Sequence, residues 1–90
     1  MTVARRVRVS GLVQGVFFRV WTQQQAQRIG VNGWVRNCPD GSVEAHLEGG
    51  ESAVRDITER MRKGPSDARV DDIDVRDAEL DGFTRFEVRH

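Results

Sequence analysis

Two stretches with helical spacing are separated in this chain by a pair of strand-like stretches around Pro39-Asp40-Gly41, and that order limits the fold more than any other feature. Val31, Gly33 and Val35 alternate with Asn32, Trp34 and Arg36, and the turn leads into Val43, Ala45 and Leu47, which predicts a central hairpin. Ahead of it, from about Phe18 to Arg28, good helix formers place Phe18, Trp21, Thr22, Ala26 and Ile29 on one face, with Gln25 interrupting its centre and Gly30 as the stop. Behind it, between Glu51 and Lys63, Val54, Ile57 and Met61 recur at helical spacing, basic residues gather at the carboxyl end, and Gly64-Pro65 ends the run. A first strand is expected over Val3 to Ser10, with Val7 and Val9 on one side and Arg6 and Arg8 on the other. Val70, Ile73 and Val75 mark a further strand, Phe86 and Val88 a short last one, and Asp81-Gly82 reads as the turn between them.

The order is therefore βαββαβ with an extra carboxyl-terminal strand. Right-handed crossovers would set both helices on one face of a mostly antiparallel sheet, an α+β sandwich of the ferredoxin-like kind. With 90 residues, of which 38% are hydrophobic, the chain suits one core and hence a single domain over residues 1–90. Fourteen basic residues balance fourteen acidic ones, so no long-range field draws the molecule to nucleic acid or to an anionic membrane, and a bound anion must be held locally. A single cysteine, Cys38, permits no intrachain disulfide and fits a reducing compartment, with the cytoplasm as the expectation. The charged amino-terminal stretch does not read as a secretory signal, and no apolar run approaches membrane-spanning length. No repeat, linker or low-complexity tract interrupts the pattern.

Chemistry concentrates in residues 11 to 19, Gly-Leu-Val-Gln-Gly-Val-Phe-Phe-Arg, a glycine-containing loop that enters a helix with one arginine in its first turn. Backbone amides in such a loop carry partial positive charge and suit a tetrahedral anion, and a guanidinium adds parallel charge-assisted hydrogen bonds. Spacing alone leaves open a plain strand-to-helix turn with a surface arginine, because two glycines are a weak motif.

The longer segments are specific. Val9-Ser10-Gly11-Leu12-Val13-Gln14-Gly15-Val16-Phe17-Phe18-Arg19 resembles the first signature of the acylphosphatase family, and Gly33 to Glu44, which begins Gly33-Trp34-Val35-Arg36-Asn37, resembles the second. Gly64-Pro65, Ala68, Val70 and the ending Phe86-Glu87-Val88-Arg89 extend the likeness over nearly the whole chain. The resemblance implies a small hydrolase that cleaves the carboxyl-phosphate bond of acyl phosphates without metal or cofactor. It implies Arg19 and Asn37 as the catalytic pair, and a phosphate cradle of amides from Gln14, Gly15, Val16, Phe17, Phe18 and Arg19. Inorganic phosphate would be product and competitive inhibitor. These types make physical sense, because a carboxylate is already a good leaving group and the protein need supply only position and charge. Phe17 departs mildly from the family pattern, at a loop position often taken by a small residue.

Other residues carry weaker claims. Cys38 follows Asn37 but has no nearby histidine, and strand alternation would turn its side chain to the opposite face. His46 reads as a solvent-facing or cross-strand residue rather than a metal ligand. Asp71, Asp72 and Asp74 fit no calcium-loop spacing and read as solubilising an exposed strand. Trp21 and Trp34 read as partly buried, and Arg5, Arg6 and Arg8 as keeping a sheet edge soluble. A ferredoxin-like RNA-binding module is the rival from another class, disfavoured because Ser42 to Glu48 holds no aromatic residue. A non-catalytic phosphate sensor is the third reading, and Asn37 argues against it. The acyl group of the substrate is not legible, and a monomer is the simplest expectation.

Overall fold

A computed structural model describes residues 1–90. The elements are β1 (Thr2–Leu12), α1 (Phe18–Ile29), β2 (Asn32–Asn37), β3 (Val43–Gly50), α2 (Glu51–Lys63), β4 (Arg69–Asp77) and β5 (Phe86–Arg89). They form one sheet in the order β4-β1-β3-β2-β5. Strand β1 is antiparallel to β3 and β4, β2 is antiparallel to β3, and β5 runs parallel to β2. Consequently β1 and β2 point the same way with β3 between them, and β3 and β4 do so with β1 between them. Each parallel pair is joined by a helix, and right-handed crossovers put both helices on one face. This is the expected ferredoxin-like sandwich.

The core follows from strand alternation. Val7, Val9, Val35, Val43, Ala45 and Leu47 face the helices and meet Phe18, Ala26, Val54, Ile57 and Met61. Burying a side chain such as Leu47 or Ile57 contributes roughly 1.5–3 kcal/mol, which makes this layer the main favourable term in folding. Gln25, which interrupts the apolar face of α1, accepts a hydrogen bond at 2.6 Å from Arg60 of α2 and so joins the helices at their flank. No helix is long and apolar enough to cross a membrane.

Three features differ from the sequence reading. Strand β1 lies inside the sheet, since the two crossovers leave β4 and β5 at the edges; Arg5, Arg6 and Arg8 therefore guard no edge. Arg6 and Arg8 instead project onto the helix-free face and pair with Glu44. Second, Asp81-Gly82 is not a tight turn, because β4 and β5 lie at opposite edges and residues 78–85 must cross the whole helix-free face. That crossing is fastened in steps: Ala78 N–H to the Ala4 carbonyl at 3.2 Å, and Gly33 N–H to the Arg85 carbonyl at 3.0 Å. Third, β1 continues past Ser10 through a β-bulge at Ser10/Gly11. Gly11 sits at φ 127°, where a β-carbon would stand 2.2 Å from the Arg69 carbonyl oxygen, so only glycine lets the strand bend into the loop that follows.

Candidate active site

Beyond that bulge the chain turns tightly through residues 14–17 and enters α1. None of the amides from Gln14 through Arg19 donates to a protein acceptor. Phe17 stands at the helix cap in the left-handed region at φ 60°, without a side-chain cap, and the first turn contains no acidic residue. Phenylalanine in this conformation costs roughly 1–2 kcal/mol. The result is a run of N–H groups without protein partners at a helix amino end whose first turn holds no carboxylate, an arrangement that favours an anion.

Arg19 follows within the first turn. Its Nη1 donates to the Arg89 carbonyl at 2.8 Å and lies 3.1 Å from His90 Nδ1, so the side chain leans on the end of β5. Its Nε and Nη2 have no protein acceptor, leaving those guanidinium donors available. Arg19 and Asn37 line one open cleft of about 280 Å³ together with Gly15, Phe17 and Phe18. Val16 and Gln14 do not line it; Val16 faces a neighbouring depression, and the Gln14 side chain turns away.

Gln14 does something the sequence did not suggest. Its Nε2 donates to the carbonyls of Cys38 at 2.8 Å and Ser42 at 2.9 Å, satisfying both ends of the turn after Asn37. That turn is closed from within by Cys38 N–H to the Ser42 carbonyl at 2.8 Å. Asp40 Oδ1 accepts from the Ser42 hydroxyl at 2.6 Å and its amide at 3.0 Å, and these bonds hold the Asp40 carboxyl below the usual carboxylate range. Asn37 is thus the last residue of β2, paired with Val43, on a turn bolted to the amide loop. Cys38 is buried just past the strand.

The helix-free face is organised differently. His46 is fully buried there and not solvent-facing, stacked on Trp34 at 6.1 Å across the β2–β3 ladder. Its Nδ1 lies 3.3 and 3.4 Å from Arg6 nitrogens, which can only donate, so Nε2 carries the proton and donates to Glu48 at 2.6 Å. Glu48 also accepts the amides of Asp81, Gly82 and Phe83 at 2.6, 3.1 and 3.2 Å. His46, Glu48 and Asp81 cluster within 4.8 Å, yet both imidazole nitrogens are committed, so His46 has no free lone pair to offer a metal ion. Trp34 is buried beneath the guanidinium groups of Arg6, Arg36 and Arg89. Asp71, Asp72 and Asp74 lie exposed on edge strand β4, as expected.

Sequence reasoning missed His90, Val88, Val13 and Val20 in the cleft wall. The first two lie some seventy residues from the loop in sequence and arrive only through the parallel β2–β5 pairing; no local signal could have found them.

The family model described as acylphosphatase matches residues 5–88. A protein from Rhizobium etli named acylphosphatase is 50% identical over 82 residues, covering 91% of this chain and 87% of its own. One of the same name from Methanothrix thermoacetophila is 44% identical over 88 residues, with 98% of both chains covered. The crystal structure of acylphosphatase from Bacillus subtilis matches with a TM-score of 0.94 at 37% identity, covering 100% of both chains.

Proposed function

The chain belongs to the acylphosphatase family and is an enzyme of that activity; from that premise we propose that it hydrolyses acyl phosphates with Arg19 and the loop amides holding phosphate and Asn37 placing water. The observation that carries this reading is the run of unpartnered amides from Gln14 to Arg19 beside a cleft that contains both Arg19 and Asn37. The amides and guanidinium bind the equatorial phosphoryl oxygens and offset the charge that builds on them. The Asn37 carboxamide orients water in line with the scissile bond. The water oxygen attacks phosphorus, the bond to the acyl oxygen breaks, and the carboxylate leaves with the bonding electrons. On this reading the water's proton passes to a phosphoryl oxygen of the substrate, while His90, the histidine of the cleft wall, lies 3.1 Å from Arg19.

The protein acts, on this reading, as a single unit over residues 1–90, a monomer in a reducing cytoplasm, which one core cluster and a buried lone cysteine support. Hydrolysis of benzoyl phosphate, followed by absorbance in excess chelator with inorganic phosphate as competitor, tests the reading. Fast, chelator-resistant, phosphate-inhibited turnover is expected; loss of turnover on chelation would overturn the metal-free mechanism.

A further inference from the structure

Resting on the hydrolase reading above, we infer that the ridge made by Phe17 and Val20 seats the acyl group of the substrate and selects flat, apolar acyl phosphates over small polar or polyanionic ones. Two open clefts meet at this ridge. The first, about 280 Å³, contains Arg19 and Asn37. The second, about 360 Å³, is walled by Val16, Trp21 and Pro65 with Asp67 beside them. Phe17 and Val20 are the residues common to both walls.

In-line displacement decides which way the acyl group lies. Attacking water and departing carboxylate must sit on opposite sides of phosphorus. Asn37 lines only the first cleft, so a leaving group directed away from the Asn37 water travels over the ridge towards the second. The first cleft is bounded largely by apolar side chains, with Val13, Phe17, Phe18, Val20 and Val88 around Arg19 and Asn37.

Exposure points the same way. Phe17 is 82% and Val20 44% exposed, apolar surface left in water beside a polar site. At φ 60° the backbone of residue 17 favours glycine, so folding does not ask for a phenyl ring there. The ring becomes useful when an apolar group arrives against it. Trp21 and Pro65 extend that surface, while the Asp67 carboxylate repels an acyl group bearing its own negative charge.

The experiment compares kcat/KM for benzoyl and acetyl phosphate in the wild type, Phe17→Gly and Val20→Ser. The change in the ratio between proteins cancels the intrinsic difference between the two anhydrides. A benzoyl preference in the wild type should fall roughly 10-fold in Phe17→Gly, where glycine keeps the left-handed backbone, and by a smaller factor in Val20→Ser. An unchanged ratio in both variants, or equal losses with both substrates, overturns the acyl seat and leaves Phe17 as a shaper of the loop. No turnover of either anhydride by the wild type breaks the hydrolase reading and the seat with it, a result distinct from turnover of both at an unmoved ratio.

Discussion

The loop at residues 14–19 and the strap at residues 78–85 are built from the same device and put to opposite use. In the strap, the amides of Asp81, Gly82 and Phe83 converge on the Glu48 carboxylate. In the loop, consecutive amides converge on no protein acceptor. The strap is a nest of N–H groups closed on an anion, and on the proposed reading the loop is a second, open one. The strap's anion belongs to the protein and is buried with it, so the nest is closed and structural; on the proposed reading the loop's anion is the phosphate of the substrate. Every buried side-chain polar atom of the molecule has a partner, so the protein leaves its open donors on the backbone of exposed segments such as this loop.

The comparison predicts that changes at the loop cost activity without stability, and changes at the strap the reverse. Arg19→Ala should lose 10²- to 10³-fold in turnover, about 2.7–4 kcal/mol of transition-state stabilisation, with a thermal midpoint close to that of the wild type. A folded Arg19→Ala protein with near-normal turnover would sink the assignment. Asn37→Ala should lower kcat by about 100-fold while inhibition by inorganic phosphate changes far less, if its partner is water, as proposed, and not phosphate. If phosphate affinity vanished and turnover per bound substrate survived, Asn37 would belong to the cradle. Glu48→Ala strands the three strap amides and the His46 N–H, and should cost about 1–3 kcal/mol of stability in denaturant unfolding. Its kcat per folded molecule should stay within a few-fold of the wild type.

Much of this contrast was legible in the sequence on one side only. The loop is local: its glycines, its arginine and the start of the helix it opens lie within residues 11 to 19, so spacing raises it as a candidate, although only the longer resemblance separates it from a plain strand-to-helix turn. Asn37 is set by the end of a strand whose alternation is plain. The strap is non-local. Val70 to Val75 and Phe86 to Val88 read as strands separated by Asp81-Gly82, which looks like a hairpin until the crossovers fix β4 and β5 at opposite edges. His46 and Glu48 look like ordinary polar positions of a solvated sheet face, because nothing in β3 announces that a segment more than thirty residues later will cover them. For the same reason β1, with its arginines, looks like an edge while occupying the interior.

A subtler test lies where the two ends of the site are joined. Gln14 donates to both carbonyls of the turn that presents Asn37, so Gln14→Met, similar in length but without donors, should loosen that turn. A drop of about 10-fold in kcat is expected, since small misplacements near reacting groups are costly. If Gln14 acts by holding Asn37, the drop should nearly vanish when Gln14→Met is made in the Asn37→Ala background. Full additivity would make Gln14 a general support of the loop instead.

The smallest effect concerns acid. Burial works against the charge on Glu48, but hydrogen bonds from Asp81, His46, Phe83 and Gly82 outweigh it and hold its carboxyl below the usual range. A carboxyl whose folded value is depressed binds fewer protons in the native state than in the unfolded chain. Its stabilisation is therefore complete above the unfolded value, about 4.3, and is lost as pH falls through the lower folded value. Glu48→Gln has no such titration. Wild type should melt above Glu48→Gln at pH 7, and the gap between their thermal midpoints should narrow steadily below about pH 4.3. A gap that held constant down to pH 3 would mean that the strap nest does not need a charged anion. It would then differ in kind from the loop as proposed, where the anion is a charged phosphate.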